Sequence, residues 1–86
     1  MAERNVVWTK TADIQYVGIL DYWVKRNRSS LFSKKLIELV KHKTQEISEN
    51  PLRFKKADFE NTRVAYLNHF GIYFQFTTTR VIITAF

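Results

Sequence analysis

The chain has 86 residues, no cysteine and a formal net charge of +6 at pH 7. This length predicts one domain over residues 1–86, and the lack of cysteine excludes disulfide frameworks, thiolate metal sites and cysteine nucleophiles. Because 45% of the residues are hydrophobic and 15% are aromatic, the composition excludes a disordered chain. With no apolar run of membrane-spanning length and no signal-peptide core, we expect a cytoplasmic protein that does not bind a membrane.

The first half of the sequence predicts a strand followed by two helices. Asn5–Thr9 is β-branched and aromatic, which is typical of a strand. Apolar residues recur with helical spacing from Ala12 to about Arg26, and Thr11 is the expected N-cap. A second helix is predicted next, with either Ser29 or Ser30 as its N-cap. It ends at Asn50, because a residue before proline is driven out of helical conformation.

The second half predicts three strands after a loop. Leu52–Asn61 shows no periodicity, so we expect a loop with at most one helical turn. Thr62–Leu67, Phe70–Thr77 and Arg80–Phe86 have strand composition, and Asn68–His69 forms a hairpin turn between the first two. The predicted fold is therefore α+β with the order β-α-α-β-β-β, in which a helical hairpin packs on a small, mainly antiparallel sheet.

The positive charge is concentrated in the predicted helical hairpin. Residues 25–43 hold seven lysines and arginines and a single acidic residue, Glu38. This asymmetry favours a polyanion or an acidic protein as the partner, and Lys34 and Lys35 are candidate target-binding residues. A solvated helix face without a partner is the plainer interpretation. A non-enzymatic nucleic-acid-binding module that uses these lysines is the alternative function.

Three segments together resemble a known family. They are VVWTKTADIQYVGILDYW, KLIELVKHKTQEISENPLRF and TRVAYLNHFGIYFQFTTTRVIITAF. Their pattern of strand, capped helix, proline-terminated helix and hairpins resembles the RelE/ParE superfamily of toxins from type II toxin–antitoxin systems, over nearly the whole chain. The resemblance implies a toxin that arrests bacterial growth until a cognate antitoxin binds it. RelE-like members cleave mRNA on the ribosome without a metal, whereas ParE-like members inhibit DNA gyrase, and the charge is compatible with both.

The resemblance also implies candidate site residues on a concave face of the sheet. Arg63 matches a position where the family often has arginine and is the expected phosphate contact. Lys55 and Lys56 match the basic loop that meets RNA, and Arg80 is expected to join them from the last hairpin. His69, at a hairpin tip, is either a general acid or base or an ordinary turn residue. No cofactor and no metal are expected.

Departures from the family pattern weaken the expectation of RNA cleavage. Gly71 stands where many members have arginine, and Phe74 stands where they have tyrosine, although Tyr73 is adjacent. The chain stops at Phe86, within a strand, whereas the family continues with a basic or aromatic tail. We therefore expect weak or no nuclease activity in this 86-residue form. We also expect a last strand left uncovered, which an antitoxin segment or a second copy of the chain would cover.

Overall fold

Two helices pack on one face of a five-stranded sheet in the computed structural model, which describes residues 3–86. The elements in chain order are β1 (Asn5–Trp8), α1 (Lys10–Asn27), α2 (Leu31–Glu49), a 3₁₀ turn (Pro51–Arg53), β2 (Lys55–Lys56), β3 (Arg63–Leu67), β4 (Phe70–Phe76) and β5 (Arg80–Ala85). The α+β class and the helical hairpin are confirmed. The segment expected to be a loop before β3 contains the additional strand β2.

The sheet has the strand order β1-β5-β4-β3-β2. Three of its four pairings are antiparallel, and β1 runs parallel to β5 with Val6 opposite Val81 and Trp8 opposite Ile83. The prediction of a mainly antiparallel sheet is therefore confirmed. The prediction that the last strand lies uncovered is wrong, because β5 is hydrogen-bonded to a strand on each side and the sheet edges are β1 and β2.

The start of α1 differs from the predicted one, whereas α2 begins at the predicted serines. The N-cap of α1 is Thr9, whose side-chain oxygen accepts a hydrogen bond from the Ala12 N–H at 3.2 Å, and the predicted cap Thr11 lies inside the helix. Ser30 occupies the N-cap position of α2 without a capping bond, while Ser29 Oγ accepts from the Leu31 N–H. Within the described part of the chain, neither helix is long and apolar enough to cross a membrane.

The core lies between the helices and one face of the sheet. Alternate residues of each strand point to this face, as the pleat requires. The buried core residues are Ala12 from α1, Leu36, Val40 and Ile47 from α2, and Ala65, Leu67, Ile72, Phe74, Val81 and Ile83 from the sheet. Since Ala65 and Leu67 face the helices, Arg63, two residues earlier on the same strand, begins on the helix side of the sheet.

The two threonines near the start of α1 give a matched test of the cap. Thr9→Ala removes the side-chain acceptor for a backbone N–H, so we expect it to lower the free energy of unfolding by about 1 kcal/mol. Thr11→Ala removes no capping bond and is expected to change stability by less than about 0.5 kcal/mol. Urea denaturation of both variants measures the difference. A larger loss for Thr11→Ala than for Thr9→Ala contradicts the cap assignment.

Candidate functional site

Arg63 and Lys56 are neighbours on the same face of the sheet. β2 pairs antiparallel with β3, with Lys56 directly opposite Arg63 and Lys55 opposite Val64. Directly opposite residues share a face, with their Cβ atoms about 5 Å apart. Lys56 therefore lies beside Arg63, whereas Lys55 points to the other face. The expected basic pair before β3 is split between the two sides of the sheet.

The Arg63 side chain is held in place by the protein backbone and an aromatic ring. Its Nη1 donates to the Phe54 carbonyl oxygen at 2.7 Å, and its guanidinium carbon lies 5.9 Å from the centre of the Phe76 ring. The residue is only partly exposed. A guanidinium fixed in this way loses little conformational entropy when it binds an anion, because it is already ordered.

A second arginine, Arg4, lies against the same ring. Its guanidinium carbon is 5.6 Å from the centre of Phe76, and its Nε donates to the Thr77 carbonyl oxygen at 2.7 Å. The sequence analysis missed this residue. Arg4 stands just before a short strand, with no pattern around it, and it reaches Phe76 only because β1 joins the sheet beside β5.

The cationic groups near Phe76 have no carboxylate partners in residues 3–86. The ion pairs in this part of the chain are Lys25 with Asp21 and Lys43 with Glu46, both within α1 or α2. Arg4, Arg63 and Lys56 take part in neither. Their positive potential is therefore not neutralised by an adjacent acid, and it remains able to attract an anion.

A cleft of about 520 Å³ opens where the loop before β3 leaves the sheet beside β4. We call it the basal cleft. It is lined by Lys56, Ala57, Phe59, Asn61, Thr62, Arg63, Gln75, Phe76, Thr77 and Ile82. Its lining thus combines two cations, four side chains with amide or hydroxyl groups, and two aromatic rings. Lys56 and Arg63 are the predicted site residues that the fold brings together here.

The remaining predicted residues lie elsewhere. Arg80 starts β5 and, two residues before Ile82, shares the face of Gln75, opposite to that of Arg63. His69 is in the β3–β4 turn, which the length of β3 places about 14 Å from Arg63. Lys34 and Lys35 are exposed near the start of α2, and the end of that helix is the part that approaches Arg4. None of these four residues lines the basal cleft, although Gln75 and Ile82, on the same face as Arg80, do.

An arginine at position 71, where many members of the family have one, would not lie beside Arg63 in this structure. Gly71 lies opposite Tyr66, so a side chain there would project from the face away from the helices. A Cβ atom at Gly71 would stand 3.2 Å from Val64 Cγ2 and 3.4 Å from the Tyr73 ring, so even a small side chain would press on its neighbours. Residues 63 and 71 point to opposite faces of this sheet.

The acid–base chemistry available in the basal cleft is limited. Its lining contains no histidine, aspartate or glutamate. Among residues 3–86, no three histidine, aspartate or glutamate side chains come close enough together to hold a metal ion. The arrangement can bind and orient a negatively charged group, but it places no carboxylate or imidazole beside that group to transfer a proton.

A second, smaller groove lies between the two helices and β1. Its volume is about 380 Å³, and it is lined by Trp8, Asp13, Tyr16, Ile37, Val40, Lys41 and Thr44. We call it the hairpin groove. Trp8 and Tyr16 stack with ring centres 5.0 Å apart, and partial burial raises the pKa of the Tyr16 hydroxyl above its ordinary value. The groove is mainly apolar and its lining carries one cation, Lys41, and one carboxylate, Asp13, which suits an amphipathic segment of another chain.

Comparison with known proteins identifies the fold. No family model and no curated protein matches the sequence. Among solved structures, the chain is similar to one titled "Chromosomal ParDE TA system from P. aeruginosa", with a TM-score of 0.78 and 14% sequence identity. The match covers 96% of this chain and 92% of that chain. The protein therefore shares its fold with a chain of that ParDE structure, which confirms the fold that the resemblance implied.

Removing the charge of Lys56 should not destabilise the protein. Lys56→Gln removes a cation directly opposite Arg63, so we expect the free energy of unfolding to stay the same or to rise by up to about 0.5 kcal/mol at low salt. Lys55→Gln is the matched control, since Lys55 lies opposite Val64 and should show no such gain. Urea denaturation at low and high salt tests this. A loss of stability in Lys56→Gln that exceeds the loss in Lys55→Gln contradicts the proposed repulsion.

Proposed function

We propose that the chain is the toxin component of a type II toxin–antitoxin module, which arrests bacterial growth in the cytoplasm until its antitoxin binds. The observation that carries this proposal is the RelE/ParE-type fold, matched over 96% of the chain by a structure whose title names a toxin–antitoxin system. The uncompensated cations of the basal cleft supply a surface for an anionic or acidic target.

The geometry favours inhibition by binding over cleavage of mRNA. Metal-free RNA cleavage needs a group that takes the proton of the 2′-hydroxyl, and cationic groups that converge on one phosphate. Arg63 and Arg80 lie on opposite faces of the sheet, and His69 is at the far end of β3. Among the targets that the family resemblance offers, DNA gyrase therefore fits better than mRNA on the ribosome.

The hairpin groove is the proposed antitoxin contact. It is lined by apolar side chains including Trp8 and Ile37, and Ile37 is itself 43% exposed. The exposed lysines Lys34, Lys35 and Lys41 stand on the same helix, α2, and would attract an acidic segment. A second copy of this basic chain would face repulsion at the same surface. An acidic amphipathic helix is therefore a better occupant than a homodimer partner.

Expression in a bacterial host tests the function and separates the two targets. We expect induction of the wild-type chain to stop growth and to relax plasmid supercoiling, without new mRNA 5′ ends inside codons. Arg63→Gln should relieve the arrest, whereas Arg80→Gln, which removes the same charge on the other face, should not. Growth without arrest contradicts the toxin assignment. New intracodon 5′ ends with normal supercoiling contradict inhibition by binding.

A charged substitution in the hairpin groove tests the antitoxin contact. We expect Ile37→Asp to weaken binding of the proposed acidic antitoxin by at least about tenfold, because it places a carboxylate in an apolar contact facing an acidic partner. Leu52→Asp is the control, since Leu52 is 65% exposed on the 3₁₀ turn, outside the groove. Titration calorimetry with each full-length variant measures both affinities. Equal weakening by the two variants, or none by Ile37→Asp, contradicts this placement.

A further inference from the structure

We propose that the outer face of α1 is the contact surface for a second copy of this chain, with the two helices crossing antiparallel at Gly18. Ile14, Gly18 and Tyr22 follow one another at intervals of four residues on this face, and we call them the outer ridge. The inference goes beyond the proposed toxin function and does not depend on it. It rests on the exposure, the shape, the symmetry and the charge of the ridge.

The outer ridge is an exposed apolar surface. Ile14 is 60% exposed and Tyr22 is 53% exposed, and the exposed Val17 lies beside the ridge. Contiguous exposed apolar patches mark interaction sites on proteins. The other side of α1, which includes Ala12, is packed into the core. The helix is thus apolar on two sides, and within the part of the chain that the structure describes only one of them has a partner.

Gly18 stands where the fold itself does not require a glycine. Its φ is not positive, and a Cβ atom added there would meet nothing within 4 Å among the described residues. Glycine inside a helix is less favourable than alanine, because it loses more conformational freedom on folding. Between two exposed apolar side chains, however, it allows the backbone of another helix to approach closely. A contact outside the chain therefore accounts for a glycine that no contact within it explains.

The symmetry of the ridge favours a second copy over an unrelated protein. Ile14 precedes Gly18 by four residues and Tyr22 follows it by four. A two-fold axis at Gly18 therefore brings each Ile14 onto the Tyr22 of the other copy, and the same contact forms twice. Residues four apart form the ridges that interdigitate in the commonest class of helix packing, at a crossing angle of about 50°.

The charge of α1 also suits a second copy. From Lys10 to Val24 the helix carries one cation and two carboxylates. Lys25, which follows the ridge, is paired with Asp21 at 2.9 Å, so it is already compensated within each copy. Two such faces meet without the repulsion that the exposed lysines of α2 would cause. An acidic segment, which those lysines would attract, gains little from this face.

A dimer formed through α1 leaves the two cavities open. No residue of the outer ridge lines the basal cleft or the hairpin groove. The 18 residues of α1 make a helix about 27 Å long, and one helix crossing is too small to bury the ~800 Å² per partner of a standard interface. We therefore expect a reversible dimer that forms at micromolar or higher concentration, and not a permanent one.

Sedimentation velocity of the full chain over a wide concentration range tests the contact. Gly18→Gln should raise the dimer dissociation constant at least about tenfold, because its side chain fills the crossing point but meets nothing in the monomer. Ile14→Lys should do the same. Leu52→Lys, the same change at a residue 65% exposed outside α1, should alter the constant less than about threefold. Circular dichroism checks that each variant is folded.

Two results of this measurement overturn the proposal. One is a wild-type chain that stays monomeric up to millimolar concentration, which leaves the outer ridge to a different protein. The other is a dimer that Leu52→Lys weakens as much as Ile14→Lys does, which places the contact outside α1.

Cysteine cross-linking locates the two-fold axis. The chain has no cysteine, so Gly18→Cys and Leu52→Cys each introduce a single thiol. A disulfide needs Cα atoms within about 7 Å, which two helices reach where they cross. We expect mild oxidation to link Gly18→Cys into dimers at least about tenfold faster than Leu52→Cys. Equal rates for the two variants overturn the placement of the axis at Gly18.

Discussion

The parallel pairing of β1 with β5 is the constraint on which the rest of the structure depends. It is closed at both ends, where the Asn5 N–H donates to the Thr79 carbonyl oxygen at 2.9 Å and the Thr9 N–H donates to the Ile83 carbonyl oxygen at 3.0 Å. Thr9 is also the N-cap of α1. The pairing of β1 with β5 therefore also fixes where the helical hairpin begins. It also carries Arg4 to the ring of Phe76.

Arg4 and Arg63 both lie against the Phe76 ring and give this part of the sheet a fixed positive potential. Arg4 and Arg63 are oriented by backbone carbonyl oxygens, which hold a guanidinium without neutralising it. Lys43, by contrast, lies near the Phe54 ring but is paired with Glu46. The lysines near the start of α2 form a separate, solvent-exposed surface. The chain thus presents two cationic surfaces, and in our proposal one serves the target and the other the antitoxin.

The local structure could be predicted from the sequence, but the contacts between residues far apart in the chain could not. Periodicity located both helices and the three longer strands, because burial of alternate or every third to fourth residue leaves a visible pattern. The two lysines of β2 carry no such pattern. The threonine that caps α1 is not Thr11 but Thr9, and the sequence does not separate them because both residue positions offer the same capping side chain. Arg4 could not be found, because its contacts come from a pairing between residues more than 70 positions apart.

The positions of the candidate site residues could likewise be predicted only in part. Lys56 lies directly opposite Arg63, because the chain returns antiparallel after β2, whereas Lys55 points to the other face. Arg80, which was expected to join these cations, points to the opposite face of the sheet. His69 lies in the β3–β4 turn, separated from Arg63 by the length of β3. The sequence indicates the length of each strand and the alternation of its side chains. It does not give the register between strands, which decides which residues of neighbouring strands lie side by side.

The most direct test of this account is the measurement of nuclear Overhauser effects in the full chain in solution. The account predicts cross-strand contacts in parallel register between β1 and β5, at Val6 with Val81 and at Trp8 with Ile83, together with contacts from the side chains of both Arg4 and Arg63 to the Phe76 ring. Contacts from only one arginine to that ring, or an antiparallel or absent β1–β5 pattern, would contradict it.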